Sequence, residues 1–458
     1  MDPEQFRAAG HELVDWMADY FAHIRDYRVF PDMKPGGLID ALPVSAPETP
    51  EPFAQIFEDF RRLVVPANTH WNHPNFYAFF SVSGAPPGIL AEMLISTLNV
   101  NHMLWRSSPA GTEMEQVTMN WLRQWLGLPE EFFGIIYDTA SISTLHALVA
   151  ARESCDTEAR TRGANGNMVV YCSEQAHSSV EKSAITIGIG QDNVRKIGTD
   201  EAFRMRPDLL EAAIGADINA GKHPCCVVAT VGTTAVTAVD PVPVIADLAA
   251  KYHLWLHVDA AYGGAAALVP SMRHYMDGVE RADSLVMNPH KWLLTPIDLS
   301  AFYTRHPDVL KRAFSLIPSY LQTSDDPRAL NFMDYGVQLG RRFRSLKLWF
   351  VMRSYGREAI ARMIEDQCAW AREFASWVET DPRFEVVAPV TFSLVCFRHK
   401  DGDEATRALL DRINASGIAF LAGATIRGQF AMRLAIGNFQ TTQEDVRRVW
   451  EYLTGAAR

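Results

Sequence analysis

Four short segments of this 458-residue chain carry polar groups where a plain core has no use for them. Lys291 stands in Asn288-Pro289-His290-Lys291-Trp292-Leu293-Leu294, directly after a β-rich run and against apolar neighbours. Loss of water around its ammonium would lower its pKa and make the amine nucleophilic enough to form a Schiff base, although a lysine can also snorkel to solvent. Asp259 ends the run Leu256-His257-Val258 and precedes Ala260-Ala261-Tyr262-Gly263-Gly264, so small residues leave room beside a carboxylate. Such an acid can cap a helix or hold a protonated ring nitrogen. Thr139-Ala140-Ser141 follows the run ending at Tyr137 and opens a helix, where N–H groups and hydroxyls suit a phosphate as well as an ordinary N-cap. His177, in Glu174-Gln175-Ala176-His177-Ser178-Ser179, follows the run ending at Tyr171, and a single histidine of that kind is as readily structural as catalytic. Together the segments supply, in chain order, a phosphate cradle, a ring-stacking imidazole, a carboxylate for a pyridine nitrogen and a Schiff-base lysine. That is the set that pyridoxal 5′-phosphate requires.

Positioning these groups takes βα units. From about residue 110, β-rich runs at 134–137, 168–171, 226–229, 254–258, 284–287 and 300–303 alternate with helix-compatible stretches at 142–153, 178–186, 207–220 and 241–252. The alternation predicts an α/β fold with a mainly parallel central sheet flanked by helices, whose ligands bind at the carboxyl ends of the strands. Ahead of it, apolar spacing predicts one helix over residues 3–25 and a second through Phe53, Ile56, Phe57, Phe60 and Leu63. A strap with prolines at positions 31, 35, 43, 47, 50 and 52 separates them. Two such helices cannot form a core alone and are expected to dock on a partner subunit. A long helix from about Leu339 to Tyr355 leads into a last third with strands near 385–387 and 393–397. The expected domains are a helical dimerisation arm (1–84), a large cofactor-binding domain (85–356) and a small α+β C-terminal domain (357–458).

Composition bounds the function. The chain is 48% apolar and 21% charged with a net charge of -11, which fits a soluble globular protein and argues against nucleic acid, whose phosphates need a basic surface. Acids at Glu4, Glu12, Asp15 and Asp19 interrupt any secretory core, and no apolar stretch is long enough for a membrane span. The six cysteines lack CxxC spacing, so reduced thiols in a cytoplasmic protein are expected, with no metal. Only nine residues are lysine, which makes an apolar setting for one of them conspicuous.

Over nearly its whole length the sequence resembles the group II pyridoxal-phosphate decarboxylases, and within them the aromatic L-amino-acid decarboxylases. The likeness is carried by His70-Trp71 with Pro74, Trp105 with Ser108-Pro109 and Thr112-Glu113, and Ala176-His177-Ser178-Ser179-Val180-Glu181. It continues through His257-Val258-Asp259-Ala260-Ala261-Tyr262, Asn288-Pro289-His290-Lys291-Trp292 and Leu339-Gly340-Arg341-Arg342-Phe343-Arg344. The resemblance implies the fold-type I architecture of pyridoxal enzymes, decarboxylation of an aromatic L-amino acid, and a homodimer whose two chains line each active site. Residue by residue it implies that Lys291 holds the cofactor as a Schiff base, Asp259 pairs with the pyridinium nitrogen and His177 stacks on the ring. Ala140, Ser141, Asn288 and His290 would surround the phosphate, with Thr234 and Ala261 beside the cofactor. Trp71, Phe79, Phe80 and Val82, with Asn101 and Met103 from the other chain, would shape the side-chain pocket, although Phe79, Phe80 and Met103 read equally well as core.

One departure from the family pattern bears on the product. Ahead of the Leu339-Gly340-Arg341-Arg342 motif the family presents a tyrosine as proton donor to Cα, and this chain has Phe332 there. In relatives that change accompanies aldehyde synthesis, with dioxygen as co-substrate and ammonia and hydrogen peroxide as further products. The expectation is an aromatic acetaldehyde as part or most of the product, unless Tyr335 supplies the missing hydroxyl and an ordinary amine forms. Val82, Asp138-Thr139, Leu299 and Asn101-His102 also depart from the pattern and bear on which of Phe, Tyr, Trp or dihydroxyphenylalanine is used. An aminotransferase would share Lys291 and Asp259 but clamp the substrate carboxylate with an arginine, for which Arg433 is the candidate. A non-catalytic binding protein would carry no borohydride-reducible chromophore.

Overall fold

The structure is a computed structural model describing residues 1–316 and 329–456. It divides into two compact units, Val82–Arg372 with Ala388–Val395, and Met1–Ser81 with Glu373–Val387 and Cys396–Arg458.

The larger unit is built on a seven-stranded sheet. Its strands are β1 (Phe133–Tyr137), β2 (Met168–Ser173), β3 (Val194–Ile197), β4 (His223–Thr230), β5 (Trp255–Asp259), β6 (Ser284–Met287) and β7 (Ser300–Thr304). Their spatial order is β1-β7-β6-β5-β4-β2-β3. β3, β2, β4, β5 and β6 are parallel neighbours. This is the mainly parallel sheet that the alternation predicts and the fold-type I architecture that the resemblance implies; each of the six β-rich runs falls on one of its strands, with Leu254 just ahead of β5. Every residue of β2 is buried, and so is every residue of β4 after His223, because helices cover both faces of a parallel sheet and leave no polar side to alternate with. β3, at the sheet edge, is not among the predicted runs. Its charged residues Arg195 and Lys196 pair with Asp217 at 2.6 Å and Glu181 at 2.9 Å, a composition suited to an edge that must not recruit another strand.

β7 is the reversed member, antiparallel to both β6 and β1. Its first residue, Ser300, therefore lies opposite Tyr137, the last residue of β1. The reversal brings the start of one strand to the edge where the others end.

The long helix begins later than expected, at Ser345, and runs to Thr380 with a break at Gly356, whose φ of +67° suits glycine. Residues 339–344 are not helical because their arginines turn to three separate acids. Arg341 meets Glu115 at 2.7 Å, Arg342 meets Glu92 at 2.6 Å and Arg344 meets Asp298 at 2.8 Å.

In the smaller unit a four-stranded sheet has the order β10-β11-β9-β8, with β8 Phe384–Val386, β9 Leu394–His399, β10 Ala422–Ile426 and β11 Gln429–Ala435. Residues 1–81 belong to this unit rather than standing as a body of their own, tied in by the Arg25–Asp445 ion pair at 2.9 Å and by the Tyr77 N–H donating to the Phe420 carbonyl. Helix Pro3–Ala22 starts at a capping box in which Asp2 accepts from Glu4 and Gln5, yet none of its residues is buried. Among the described residues no helix is long and apolar enough to cross a membrane.

Candidate active site

The sequence-predicted groups gather at the carboxyl edge of the large sheet. Asp259 is the last residue of β5, only 6% exposed, and its Oδ1 accepts the Ala261 N–H at 3.0 Å. A Cβ on Gly263 would lie 2.5 Å from the Val231 carbonyl oxygen, so glycine there lets the turn bearing Thr234 approach the segment after Asp259. Lys291 stands in the single turn Pro289–Trp292 after β6. That turn is fixed by Trp292, whose ring stacks on Tyr262 at 4.5 Å and whose indole N–H donates to Gln367 Oε1 at 2.7 Å. Burial pushes the Lys291 ammonium below its ordinary pKa, and the Asp259 charge only partly opposes this. Lys347 is a second buried lysine, which sequence reasoning missed, but it is answered by Glu92 at 2.7 Å in an ordinary ion pair.

His177 is exposed on the segment after β2. Its Nδ1 accepts the Ser179 N–H at 3.1 Å and lies 2.9 Å from Ser179 Oγ, so the ring proton sits on Nε2. Burial pushes the imidazole pKa down, while Asp259 pulls it up and Lys291 pushes it down. The three groups therefore share one electrostatic site.

The phosphate cradle can be tested from its own hydrogen bonds. Ala140 and Ser141 open the helix Ala140–Cys155 directly after β1, which turns the free N–H groups of a 16-residue helix outward. On its next residues the buried Ser143 Oγ lies 2.8 Å from Ser300 Oγ, and Ser300 donates to Asn288 Oδ1 at 2.7 Å. With its amide oxygen so engaged, Asn288 turns Nδ2 toward His290 Nε2 at 3.4 Å. His290 Nδ1 accepts the Leu299 N–H at 3.0 Å, which places the imidazole proton on Nε2. Two buried N–H groups thus face each other with no acceptor between them, an arrangement completed by an anionic oxygen. The residues fit pyridoxal 5′-phosphate: donors for the phosphate, a carboxylate for the ring nitrogen, an imidazole and an amine. Ser143 and Ser300, which hold the Asn288 amide oxygen in this arrangement, are not singled out by the sequence. Among the described residues no cluster of His, Cys, Asp or Glu is arranged to hold a metal ion.

The pocket candidates fall in two groups. In the larger unit Val82 is half-buried, Asn101 is exposed with Oδ1 accepting the Arg341 N–H at 3.1 Å, and Met103 accepts the Met333 N–H on its carbonyl at 3.1 Å. Phe332 belongs with them. It lies in the short turn Phe332–Tyr335, 2% exposed, with the Arg341 guanidinium 4.6 Å over its ring and His102 edge-on at 5.6 Å. The structure therefore groups Phe332 with Asn101 and Met103 rather than with Lys291, and buries Tyr335 beside it. In the smaller unit Trp71 and Phe79 are exposed and stack at 5.7 Å, whereas Phe80 is buried beneath Arg433, 5.6 Å from its ring, and is core. Arg433 is itself only 5% exposed and lies beside Cys396, a setting unlike that of a carboxylate clamp.

His102, His146, His257 and His290 are buried in the larger unit, and burial pushes each pKa down to about 4. Below pH 6.5 the unfolded chain protonates these rings while the folded one does not, so the stability they contribute is present above 6.5 and lost as pH falls toward 4. Asp240, pushed up to about 6 by burial, acts in the opposite sense but is one group against four. A lower urea midpoint at pH 5 than at pH 7, by an amount corresponding to several kcal/mol, is expected. An equal midpoint would contradict neutral buried rings.

Comparisons with known proteins agree with this geometry. The pyridoxal-dependent decarboxylase conserved domain matches residues 35–400. An aromatic-L-amino-acid decarboxylase of Catharanthus roseus is 39% identical over 99% of this chain and 94% of its own length. A phenylacetaldehyde synthase of Arabidopsis thaliana is also 39% identical, over 99% of this chain and 96% of its own. The crystal structure of Oryza sativa TDC with PLP and tryptamine superposes with a TM-score of 0.97 at 38% identity, covering 100% of this chain and 98% of that one.

Proposed function

The chain belongs to the family of pyridoxal-dependent decarboxylases, and from that premise we propose that it decarboxylates an aromatic L-amino acid and releases much of the product as the aromatic acetaldehyde. Bound pyridoxal phosphate supplies an electron sink conjugated to the substrate nitrogen, into which the electrons of the breaking Cα–carboxylate bond can pass. The protein's own residues set up that event. Asn288, His290 and the amino end of helix Ala140–Cys155 fix the phosphate and with it the ring's orientation. Asp259 holds a proton on the ring nitrogen, and its negative charge at the end of β5 stabilises the positive ring. Lys291, its ammonium destabilised by burial, offers the amine that anchors the cofactor and later yields it to the substrate. His177 presents Nε2–H, a donor suited to the substrate carboxylate or the ring face.

What decides the product is the return of a proton to Cα. Phe332 occupies the proton-donor position implied by the resemblance, and a phenyl ring has no proton to give. Without that donor, dioxygen competes. One amino acid, one O2 and one water then yield the aldehyde, CO2, ammonia and H2O2, with the two electrons lost by the substrate carbon reducing oxygen. The absent hydroxyl at Phe332 carries this reading. Overall similarity does not, since the decarboxylase and the aldehyde synthase are equally identical to the chain. The exposed, stacked Trp71 and Phe79 support an aromatic substrate, and the unburied helix Pro3–Ala22 supports a homodimer with shared active sites.

The test is mass spectrometry of the products from Phe, Tyr, Trp and dihydroxyphenylalanine with oxygen present and absent, alongside peroxide measurement. Aldehyde, ammonia and peroxide are expected in parallel with CO2. Phe332→Tyr should raise the amine share about tenfold or more, within the range of a positioned general acid. Stoichiometric amine at full rate without oxygen would leave an ordinary amine-forming decarboxylase.

A further inference from the structure

β1 ends where the phosphate cradle begins, and the residues at that junction also hold the stretch of chain that follows Phe332. The Tyr137 hydroxyl donates to the Tyr335 carbonyl at 2.5 Å, the Val337 N–H donates to His146 Nε2 at 3.0 Å, and the Gln338 amide donates to Asp138 Oδ2 at 2.9 Å. Asp138 binds in the other direction as well. Its Oδ1 accepts the N–H of Thr139, the N-cap of the helix that begins with Ala140 and Ser141, at 2.6 Å.

His146 lies in that same helix and stacks on Tyr137 with centroids 4.1 Å apart and planes 9° from parallel. Because the Val337 N–H occupies Nε2, the ring proton is on Nδ1, where it donates to the Ile142 carbonyl at 2.7 Å. The imidazole is thus a neutral bridge from the helix backbone to the segment after Phe332. Gly336 makes the close contact possible. A Cβ there would meet His146 Nε2 at 2.9 Å and Tyr137 Cε1 at 3.1 Å, so the chain lies flat on the two rings.

We propose that Tyr137, Asp138 and His146 form a clasp tying the Phe332 turn to the phosphate cradle, with His146 the positioning residue that governs how far protonation competes with oxygen at Cα. The inference rests on the product reading above and extends it to residues outside the site already described. With residues 335, 337 and 338 each held from the cradle side, filling or emptying the cradle bears on the turn, and loosening the turn admits water as a proton source.

The holoenzyme and its cofactor-free form would be compared by hydrogen exchange over residues 332–341, for the parent, His146→Phe, His146→Gln and Gln338→Leu. His146→Phe keeps an aromatic ring against Tyr137 and removes the acceptor, His146→Gln restores one, and Gln338→Leu breaks a peripheral bond with little demand on folding. Exchange at Val337 should rise about tenfold in His146→Phe, as expected for loss of one protecting bond, and move back toward the parent in His146→Gln. Cofactor removal from the parent should raise exchange over 335–338 in the same direction. In His146→Phe and Gln338→Leu the amine-to-aldehyde ratio should rise about threefold or more with KM little changed and the cofactor absorbance retained. Unchanged exchange in both variants, or faster exchange with an unchanged product ratio, overturns the proposal. A parent enzyme that forms no peroxide overturns the product reading instead, and exchange alone then decides the clasp.

Discussion

Lys291→Ala is expected to lose the cofactor's visible absorbance, its borohydride-reducible linkage and the decarboxylase activity together. The loss in rate should be on the order of 10⁴-fold or more, equivalent to about 5.5 kcal/mol of transition-state stabilisation. The size follows from the number of things the amine does. It would anchor the cofactor, and because burial lowers its affinity for a proton it is a better nucleophile than an exposed lysine. Arginine cannot substitute, since a guanidinium keeps its proton. Lys347→Ala is the matching control: it removes a buried lysine whose charge is matched by Glu92, so it should lower stability and leave the absorbance in place. Retained absorbance and more than about a hundredth of the activity in Lys291→Ala would remove that residue from the mechanism.

Asp259→Asn should come second, with kcat down about a thousandfold, near 4 kcal/mol, and KM changed far less. The amide has the carboxylate's shape and can still accept the Ala261 N–H, so the fold and most cofactor binding should survive. What disappears is a negative charge in a site that is only slightly solvated, and with it the stabilisation of a protonated ring nitrogen. The loss therefore falls on the step in which the ring accepts electrons. A shifted absorbance in a still-loaded enzyme would mark this mechanism, whereas activity within about tenfold of the parent would show that the ring nitrogen needs no carboxylate partner.

Lys291 and Asp259 are conspicuous because a parallel sheet offers its ligands only the chain that follows each strand, whereas the phosphate roles of Asn288 and His290 come only from the resemblance to the decarboxylase family. β2 and β4 were legible as unbroken apolar runs. β3 was not, because an edge strand of four residues with two charges has neither the apolar run nor clean alternation. The helix starts later than its apolar spacing suggests because Leu339 and Phe343 continue that spacing, while the pull of Glu115, Glu92 and Asp298 on the intervening arginines comes from remote sequence. Phe79 and Phe80 could not be separated by type, and backbone geometry placed one outside and the other in the core. Ser143 and Ser300 are invisible in the sequence because their pairing depends on the placement of β7 against β1, and the clasp is invisible because its partners lie about 190–200 positions apart.

That register also has a consequence for the order in which the protein is made. β1 and the helix carrying Ala140 and Ser141 leave the ribosome early, but β1 is an edge strand whose neighbour in the sheet is β7. Until Ser300 has been synthesised and inserted, the Asn288 amide oxygen lacks the hydroxyl that holds it. A nascent chain that stops short of β7 already carries Lys291 but lacks the Ser300 hydroxyl that holds the Asn288 amide, so firm cofactor retention is expected only once β7 has been added.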